Sequence, residues 1–248
     1  MLISTKQLLA KNKVVPAFNF GTLEVARSVV EAGDKLQTPF ILEINQKEVD
    51  FIGLYFAVSL ATALSVEYSV PFSLHLDHTA NPTEFLEAAR LGFTSGLFDS
   101  SKLSLSESVT LLKRLRQDLP SDFILEVTAG SAATALQMEE LGADLLAVEK
   151  DNFCDLKLLS EVRKATALPF VMHGGSSRSA REIRAAVELG AVKINFNTCL
   201  RRAWRQGLEN SFREYPNVLQ SYVLLAKSRQ LVREVTEEKI LLVRKTVM

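Results

Sequence analysis

Polar side chains that could do chemistry follow short apolar runs at several points of this sequence. One run, residues 71–77, ends in Asp77 and is followed by His78, and another, residues 169–173, ends in His173. Neutral imidazole is the commonest nitrogen ligand of divalent transition metals, and the chain has only three histidines. We therefore interpret His78 and His173 as candidate metal ligands, with chance placement as the alternative, and Asp77 as a polar residue at the same strand end.

A second group of residues has the composition of an anion-binding site. It consists of Gly174, Gly175, Ser176, Asn195, Asn197 and Thr198. Glycines allow the backbone to approach an anion closely, and a serine hydroxyl adds a donor. The two asparagines end another apolar run where a helical pattern begins, which offers N–H groups and the positive end of a helix dipole. The group predicts a phosphate site, although the paired glycines are also typical of a simple tight turn.

The elements that must position these residues alternate regularly along the chain. Runs rich in β-branched and aromatic residues are each followed by a stretch with helical spacing. The predicted strands are residues 14–20, 39–45, 71–77, 95–99, 123–128, 145–149, 169–173 and 192–197. The predicted helices are residues 22–36, 51–68, 82–91, 104–117, 131–141, 155–166 and 179–189, one that ends at 213, and one or two more after Pro216.

Eight such units predict a closed parallel barrel, a single (β/α)8 TIM barrel domain over residues 1–248 with extra C-terminal helices. An open doubly wound sheet is the alternative, but no Gly-x-Gly-x-x-Gly follows the first strand. Catalytic groups of such barrels lie at the carboxyl ends of the strands. The polar residues at the predicted strand ends are Asn19, Asn45, Asp77, His78, Asp99, Glu126, Glu149, His173, Asn195 and Asn197. His75 shares a face with Asp77, and we expect it to be a hydrogen-bonded histidine of the interior.

Composition narrows the class of protein. The 29 basic and 29 acidic residues cancel, so long-range attraction to nucleic acid or an anionic membrane is not expected. Cys154 and Cys199 lack metal-binding spacing and are interpreted as reduced thiols of a cytoplasmic protein, and the first residues lack the apolar run of a signal peptide. The apolar stripe at 218–231 suggests either a cover for the barrel or the contact of a homodimer.

Five motifs carry a resemblance to a known family. They are Pro-Ala-Phe-Asn-Phe at 16–20, Leu-His-Leu-Asp-His at 74–78, Gly-Phe-Thr-Ser-Gly-Leu-Phe-Asp-Ser-Ser at 92–101, Met-His-Gly-Gly-Ser at 172–176 and Glu-Leu-Gly-Ala-Val-Lys-Ile-Asn-Phe-Asn-Thr at 188–198. In content and order they resemble the class II, metal-dependent fructose- and tagatose-bisphosphate aldolases. The chain looks like a shortened and divergent member of that family.

The resemblance implies a reaction and roles for the residues. The reaction is the reversible aldol cleavage of a phosphorylated ketose to dihydroxyacetone phosphate and an aldehyde, a step of carbohydrate metabolism such as glycolysis. Asp77 would handle the proton of the C4 hydroxyl, and His78 and His173 would bind zinc. Residues 174–176 and 195–198 would hold the dihydroxyacetone-phosphate half, and Asn19 is also counted among the substrate-binding residues.

The chain departs from the family pattern at the metal site. The family has a third metal-binding histidine after the sixth strand, whereas residues 147–154 contain none. Carboxylates and thiolates also bind zinc. The candidates that could complete the site are Glu126, Glu149, Asp151 and Cys154.

Two other departures concern turnover. After the fifth strand the family has two glutamates and a long loop with a catalytic acid; here Thr128 replaces the second glutamate and a helix follows almost at once. Cys199 stands where the family usually has an acidic residue. A catalytically impaired sugar-phosphate-binding or partner subunit is therefore the main alternative function, and a metal-free reaction on a smaller ligand is a third.

Overall fold

The computed structural model describes residues 1–100, 103–148 and 156–247 of the chain. Eight parallel strands follow one another around a closed barrel, and the first pairs with the last. The strands are β1 (Val15–Asn19), β2 (Phe40–Asn45), β3 (Phe72–Thr79), β4 (Ser95–Phe98), β5 (Ile124–Ala129), β6 (Leu145–Val148), β7 (Phe170–Met172) and β8 (Ala191–Phe196). The predicted (β/α)8 barrel is confirmed, and the doubly wound alternative is excluded because its sheet would be open.

Helices alternate with the strands as the apolar spacing predicts. They are α1 (Thr5–Lys11), α2 (Leu23–Lys35), α3 (Gln46–Ile52), α4 (Leu54–Glu67), α5 (Pro82–Leu91), α6 (Leu105–Asp118), α7 (Ala132–Glu140), α8 (Leu156–Ala165), α9 (Ala180–Glu188), α10 (Thr198–Glu214), α11 (Ser221–Leu224) and α12 (Ala226–Val247), with a 3-10 turn at Gly175–Ser177. In the described part of the chain no single helix is long and apolar enough to cross a membrane; α3 and α4, bent by 89°, reach that composition only when taken together.

The region after β2 differs from the sequence prediction of one helix over 51–68. Helix α3 begins at Gln46, because Asn45 and Glu48 form a capping box in which each side chain accepts the backbone N–H of the other. Gly53 then adopts a φ of +82°, which ends α3 and begins α4 at a sharp bend. This arrangement brings residues 45–47 to the carboxyl end of the barrel.

The barrel buries apolar residues on both strand faces, as parallel sheets do. The outward face packs under the helices through stacked rings such as Phe18 on Phe196 and Phe40 on Phe72. Inside, the amino-terminal end is apolar and contains Val15, Ala17 and Ile41. Helix α1, which the sequence reading missed, contributes Leu8 to this cluster. The interior above it is polar and leads to the carboxyl ends of the strands.

The C-terminal helices cover one side of the barrel. Helix α12 packs against α10, α2 and α9, and its Val232, Ile240 and Val243 are buried. Within the apolar stripe at 218–231, Leu231 packs against the core, whereas Leu219 and Tyr222 are 90% and 77% exposed. The stripe is thus a cover only at its C-terminal end.

We expect Gly207→Ala to destabilise the fold by about 1–3 kcal/mol, although alanine in mid-helix normally stabilises by up to ~1 kcal/mol. A Cβ at this position of α10 would lie 2.4 Å from the backbone N and Cα of Ser228, so α10 and α12 would have to separate. Urea unfolding of the variant tests this, with the exposed Gln206→Ala on the same helix as control. Equal stability of Gly207→Ala and the parent protein would contradict the packing.

Candidate active site

A cavity of about 670 Å³ opens at the carboxyl ends of the strands. Its lining consists of Asn19, Asn45, Gln46, Lys47, Asp77, His78, His173, Gly174, Ser176, Asn195, Asn197, Thr198 and Arg201. All the predicted catalytic, metal-binding and substrate-binding residues are in this lining except Gly175, which is buried. Glu126, a candidate for a further metal ligand, is not part of the lining. The structure therefore brings the predicted metal and phosphate groups to one opening.

The end of β3 presents two consecutive side chains to this cavity. Neighbouring residues of a regular strand point to opposite faces. Here His78 has a φ of +51°, and the pairing of β3 with β4 shifts register between Leu76 and Thr79. This left-handed backbone is uncommon for a histidine and costs on the order of 1–3 kcal/mol. The consequence is that Asp77 and His78 line the same cavity, with Asp77 Oδ1 3.8 Å from His78 Nε2.

His173 is held in one tautomer by a buried carboxylate. Its Nε2 lies 3.0 Å from Oε1 of Glu126, which is fully buried and has its pKa held below the usual range. Burial opposes that ionisation, but the charge of Lys193 and the hydrogen bond from His173 outweigh it. Because an ionised carboxylate only accepts, Nε2 carries the proton and Nδ1 presents its lone pair. Nδ1 faces His78 Nε2 at 3.2 Å.

Lys193 is the centre of the polar interior below the cavity. Its ammonium is fully buried and donates to Glu126 Oε2 at 2.9 Å and to His75 Nε2 at 3.0 Å, and it lies 3.3 Å from Glu43 Oε2. Burial disfavours the cation, but the charge of Glu126, joined above about pH 8 by that of Glu43, raises the pKa of Lys193. Since Lys193 donates to Nε2, the Nδ1 proton of His75 is directed to Ser95 Oγ at 2.8 Å. His75 is an interior hydrogen-bonded histidine, as the sequence predicts.

Glu43 and His75 are held neutral around this cation. Burial raises the pKa of Glu43 to about 8, because the nearby Lys193 does not fully offset desolvation. Neither carboxyl oxygen of Glu43 has a hydrogen-bond partner among the described residues. Burial and then the charge of Lys193 lower the pKa of His75 to about 3. The interior is thus nearly charge-balanced by one ion pair, Lys193 with Glu126.

Asp77 is buried, and only one of its carboxyl oxygens is engaged. Oδ2 accepts from Asn19 Nδ2 at 3.1 Å. Oδ1 is buried and has no hydrogen-bond partner in the described part of the chain. Burial opposes ionisation, but His78 and His173 in their protonated forms, together with the charge of Lys193, lower the pKa of Asp77 below its usual value. Asp77 is therefore a carboxylate with one oxygen available to a ligand.

The donor set at this opening fits a divalent metal ion. Ligand atoms of Asp77, His78 and His173 all lie within 4.8 Å of one another. Nitrogen and carboxylate donors of this kind are those that zinc uses. Glu126, one of the candidates for a further ligand, is turned away, because it contacts Nε2 of His173 and not the Nδ1 that faces the cavity. The other candidates, Glu149, Asp151 and Cys154, lie outside the described residues.

The second predicted group lies beside the first, around the start of α10. Ser176 Oγ accepts the backbone N–H groups of Asn197 at 3.2 Å and Cys199 at 3.3 Å, and donates to Cys199 Sγ. Asn197, at the cap position of α10, makes no side-chain capping bond. Hydroxyl, amide and helix dipole therefore converge at the cavity wall, an arrangement suited to an anion.

Gly175 contributes to this wall by its lack of a side chain. A Cβ at Gly175 would lie 2.8 Å from Ile194 Cγ2 and 2.9 Å from the carbonyl oxygen of Asn195. Gly174 before it has a φ of +75°, which glycine adopts without strain. Both glycines also form a tight turn. The pair can therefore serve as a turn and as part of an anion-binding wall at the same time.

Several residues of the cavity and of the polar interior below it are not among the site residues that the sequence predicts. Cavity residues not predicted as site residues are Asn45, Gln46, Lys47 and Arg201, and the interior residues missed are Glu43 and Lys193. A signal for the last two exists in the sequence. Each precedes a strand-end asparagine by two residues and so shares its inward face, which makes a charged residue there unusual.

The chain is similar to known proteins in both sequence and fold. The sequence model of the family described as "Fructose-bisphosphate aldolase class-II" matches residues 4–131 and 138–246. The fold is similar to that of the YdjI aldolase from Escherichia coli K12, with a TM-score of 0.85 and 24% identity over 98% of this chain and 97% of that chain. It is also similar to a fructose-bisphosphate aldolase (Fba) from Campylobacter jejuni, with a TM-score of 0.84 and 21% identity over 98% and 95%.

We expect Glu43→Gln to change the pH dependence of stability. The folded protein holds on Glu43, whose pKa is about 8, a proton that the unfolded chain releases at its ordinary pKa of 4.5. Folding therefore takes up a proton between these values, and the contribution of Glu43 falls as pH rises through that window. Glutamine mimics the protonated form, so the unfolding free energy of the parent should fall relative to that of the variant.

Urea unfolding of both proteins at about pH 5, 7 and 8.5 measures this difference. Glu238→Gln removes an exposed carboxylate and is the control, for which no such divergence is expected. Parallel pH curves for Glu43→Gln and the parent would show that Glu43 is not held protonated.

Proposed function

The chain belongs to the class II fructose-bisphosphate aldolase family, and on that premise we propose that it is a lyase that cleaves a phosphorylated ketose reversibly to dihydroxyacetone phosphate and an aldehyde. The observation that carries the proposal is the shared cavity. It joins a buried carboxylate and two inward-facing imidazoles to an anion-binding helix start. Each part serves one step of such a cleavage.

A metal ion, most simply Zn²⁺, would be held by His78 Nε2 and His173 Nδ1, the two nitrogens that face each other at 3.2 Å. Bound there, it supplies Lewis-acid polarisation of the ketose carbonyl. Glu126 acts as a positioning residue, since it holds the proton on Nε2 of His173 and so directs Nδ1 to the cavity.

Asp77 is proposed to accept the proton of the C4 hydroxyl. Its pKa is lowered, so the carboxylate is ionised at neutral pH. Asp77 lines the cavity, and its Oδ2 keeps a second lone pair beside the bond that it accepts from Asn19. When the hydroxyl proton moves to Asp77, C4 becomes an aldehyde carbon and the C3–C4 bond breaks. The electron pair of that bond passes to the dihydroxyacetone-phosphate half, and in the reverse direction Asp77 returns the proton.

The phosphate of that half would bind between the loop of residues 174–176 and the start of α10. Thr198 supplies a donor, and so does the Ser176 hydroxyl if it exchanges its bond to Cys199 Sγ for one to the phosphate. The dipole of a 17-residue helix supplies positive potential. Asn19, Asn195 and Asn197 line the same wall and offer amides for the hydroxyl groups of the sugar. The substrate proposed is therefore a small phosphorylated sugar, and the protein is proposed to work in carbohydrate metabolism in the cytoplasm.

A binding or partner subunit with impaired catalysis is the second candidate. The observation that favours it is the short connection after β5, which ends at Ala129 while α7 begins at Ala132. No room remains there for a long loop that carries an acid. Without the acid of such a loop, one proton donor is missing. We therefore expect slow turnover even if the aldolase proposal is correct.

We expect the purified protein to bind zinc near one per chain, and chelation to remove both zinc and cleavage of ketose bisphosphates. His78→Ala and His173→Ala should lose both properties, because each removes one nitrogen ligand. Elemental analysis and an assay coupled to the release of dihydroxyacetone phosphate provide the measurements, with the surface variant Gln206→Ala as control. Zinc binding without turnover would favour the partner-subunit candidate, and a protein that never holds a metal would refute the proposed mechanism.

A separate prediction concerns the phosphate wall. Ser176→Ala should raise KM for a phosphorylated ketose about 10-fold, since one hydrogen bond to a charged group contributes ~1.5 kcal/mol or more. The adjacent Ser177 is exposed and outside the cavity lining, so Ser177→Ala is a matched control. An unchanged KM in Ser176→Ala would remove this hydroxyl from the phosphate site.

A further inference from the structure

We propose that the carboxylate of Asp77 is the third protein ligand of the metal, so that two imidazoles and one carboxylate hold it where related enzymes use three histidines. The inference rests on the proposed function, because that proposal supplies the metal. It changes the nature of the site, since the residue that handles the substrate proton also binds the ion.

The spacing of the three ligand atoms is close to that around a zinc ion. His78 Nε2 lies 3.2 Å from His173 Nδ1 and 3.8 Å from Asp77 Oδ1. Around a tetrahedral zinc with bonds of ~2.1 Å, neighbouring ligand atoms are about 3.4 Å apart. The two separations bracket that value, and the ligand atoms of all three residues lie within 4.8 Å of one another. A single ion can therefore reach all three groups after side-chain adjustment.

The two carboxyl oxygens of Asp77 differ in their hydrogen bonding. Oδ2 is held by Asn19 Nδ2, whereas Oδ1 is buried and lacks any hydrogen-bond partner in the part of the chain that the structure describes. A buried carboxylate oxygen without a partner is costly, and native proteins rarely retain one without a purpose. Oδ1 is also the oxygen that lies nearest His78 Nε2.

The neighbouring groups that could otherwise bind the ion already have other partners. His75 has both ring nitrogens engaged, one by Ser95 and one by Lys193. Glu126 has both oxygens engaged, one by His173 and one by Lys193. Glu43 forms a second group of possible ligands with His75 and Asp77, but it lies 3.3 Å from the Lys193 ammonium, whose positive charge disfavours a metal ion beside it. Asp77 has no such competing partner for Oδ1 among the described residues.

The backbone at the end of β3 supports the same assignment. The positive φ of His78 makes consecutive residues face one cavity, which a regular strand cannot do. Strain of this kind persists where the surrounding structure requires it. Placing a carboxylate and an imidazole side by side on one ion is such a requirement.

Two imidazoles and one carboxylate form a ligand set that accepts several first-row metals. We therefore expect the metal-free protein to bind cobalt, manganese or ferrous ions as well, and manganese more weakly than cobalt, as the general order of affinities requires. Activity cannot separate the ligand role of Asp77 from its proton role, because loss of either stops turnover. Metal affinity is the readout that does.

The experiment titrates metal-free protein with Zn²⁺ in competition with a chromophoric chelator, and with Co²⁺ by absorption. Asp77→Asn, which keeps the shape of the side chain, should weaken zinc binding more than about 100-fold, because even indirect partners of a ligand contribute ~10–100-fold. Asp50→Asn, the same change on an exposed residue of α3, is the matched control and should bind as the parent does. Thermal melting of the metal-free proteins verifies that each variant is folded.

Glu149→Gln, Asp151→Asn and Cys154→Ser test the competing candidates in the same titration. Parental affinity in all three supports the inference. Full zinc affinity in Asp77→Asn would overturn it while leaving the proposed function intact, and loss in one of the other variants would then identify the third ligand. Failure of the parent protein itself to bind any metal would instead overturn the proposed function.

Discussion

The contact on which the site depends is the buried ion pair between Lys193 and Glu126. The ammonium keeps Glu126 ionised inside the barrel, and the ionised Glu126 fixes the proton of His173 on Nε2. Only this tautomer directs the Nδ1 lone pair to His78 across the cavity. A buried pair of this kind contributes little net stability, but the loss of one partner leaves an unpaired charge and costs several kcal/mol. The interior of the barrel is therefore organised around the site above it and not only around close packing.

The site combines rigid and strained components in a way that suits metal and anion binding. Glycines 174 and 175 and the start of α10 form one wall, with backbone groups that need no reorganisation when an anion arrives. The end of β3 forms the other wall, where the conformation of His78 costs energy to present two side chains together. The first wall is typical of phosphate recognition, and the second brings the possible metal ligands together. Because the two walls line one cavity, a ligand that carries both a phosphate and a metal-binding oxygen, as a phosphorylated ketose does, can contact both.

The sequence predicts the barrel and most of the cavity lining, for physical reasons that are easy to identify. Strand and helix periods differ, and in a parallel barrel the strand ends must meet at one rim, so polar residues such as Asp77 and His173 are expected to converge. The early start of α3 had a sequence signature, the capping box of Asn45 and Glu48, which the prediction of a helix over 51–68 overlooked. Two features could not be predicted. The positive φ of His78 depends on the register of β3 against β4. The charge balance of Glu43, His75 and Lys193 depends on distances between strands, which sequence spacing does not give.

The conformation of His78 also has an evolutionary consequence. In a left-handed backbone, glycine is easier to accommodate than histidine, by on the order of 1 kcal/mol. In a protein that no longer needed the imidazole, a change to glycine would relieve this strain, and selection for stability would favour it. Folding stability and ligand chemistry therefore make opposite demands on this position. A histidine here is the outcome expected where ligand chemistry is the stronger demand.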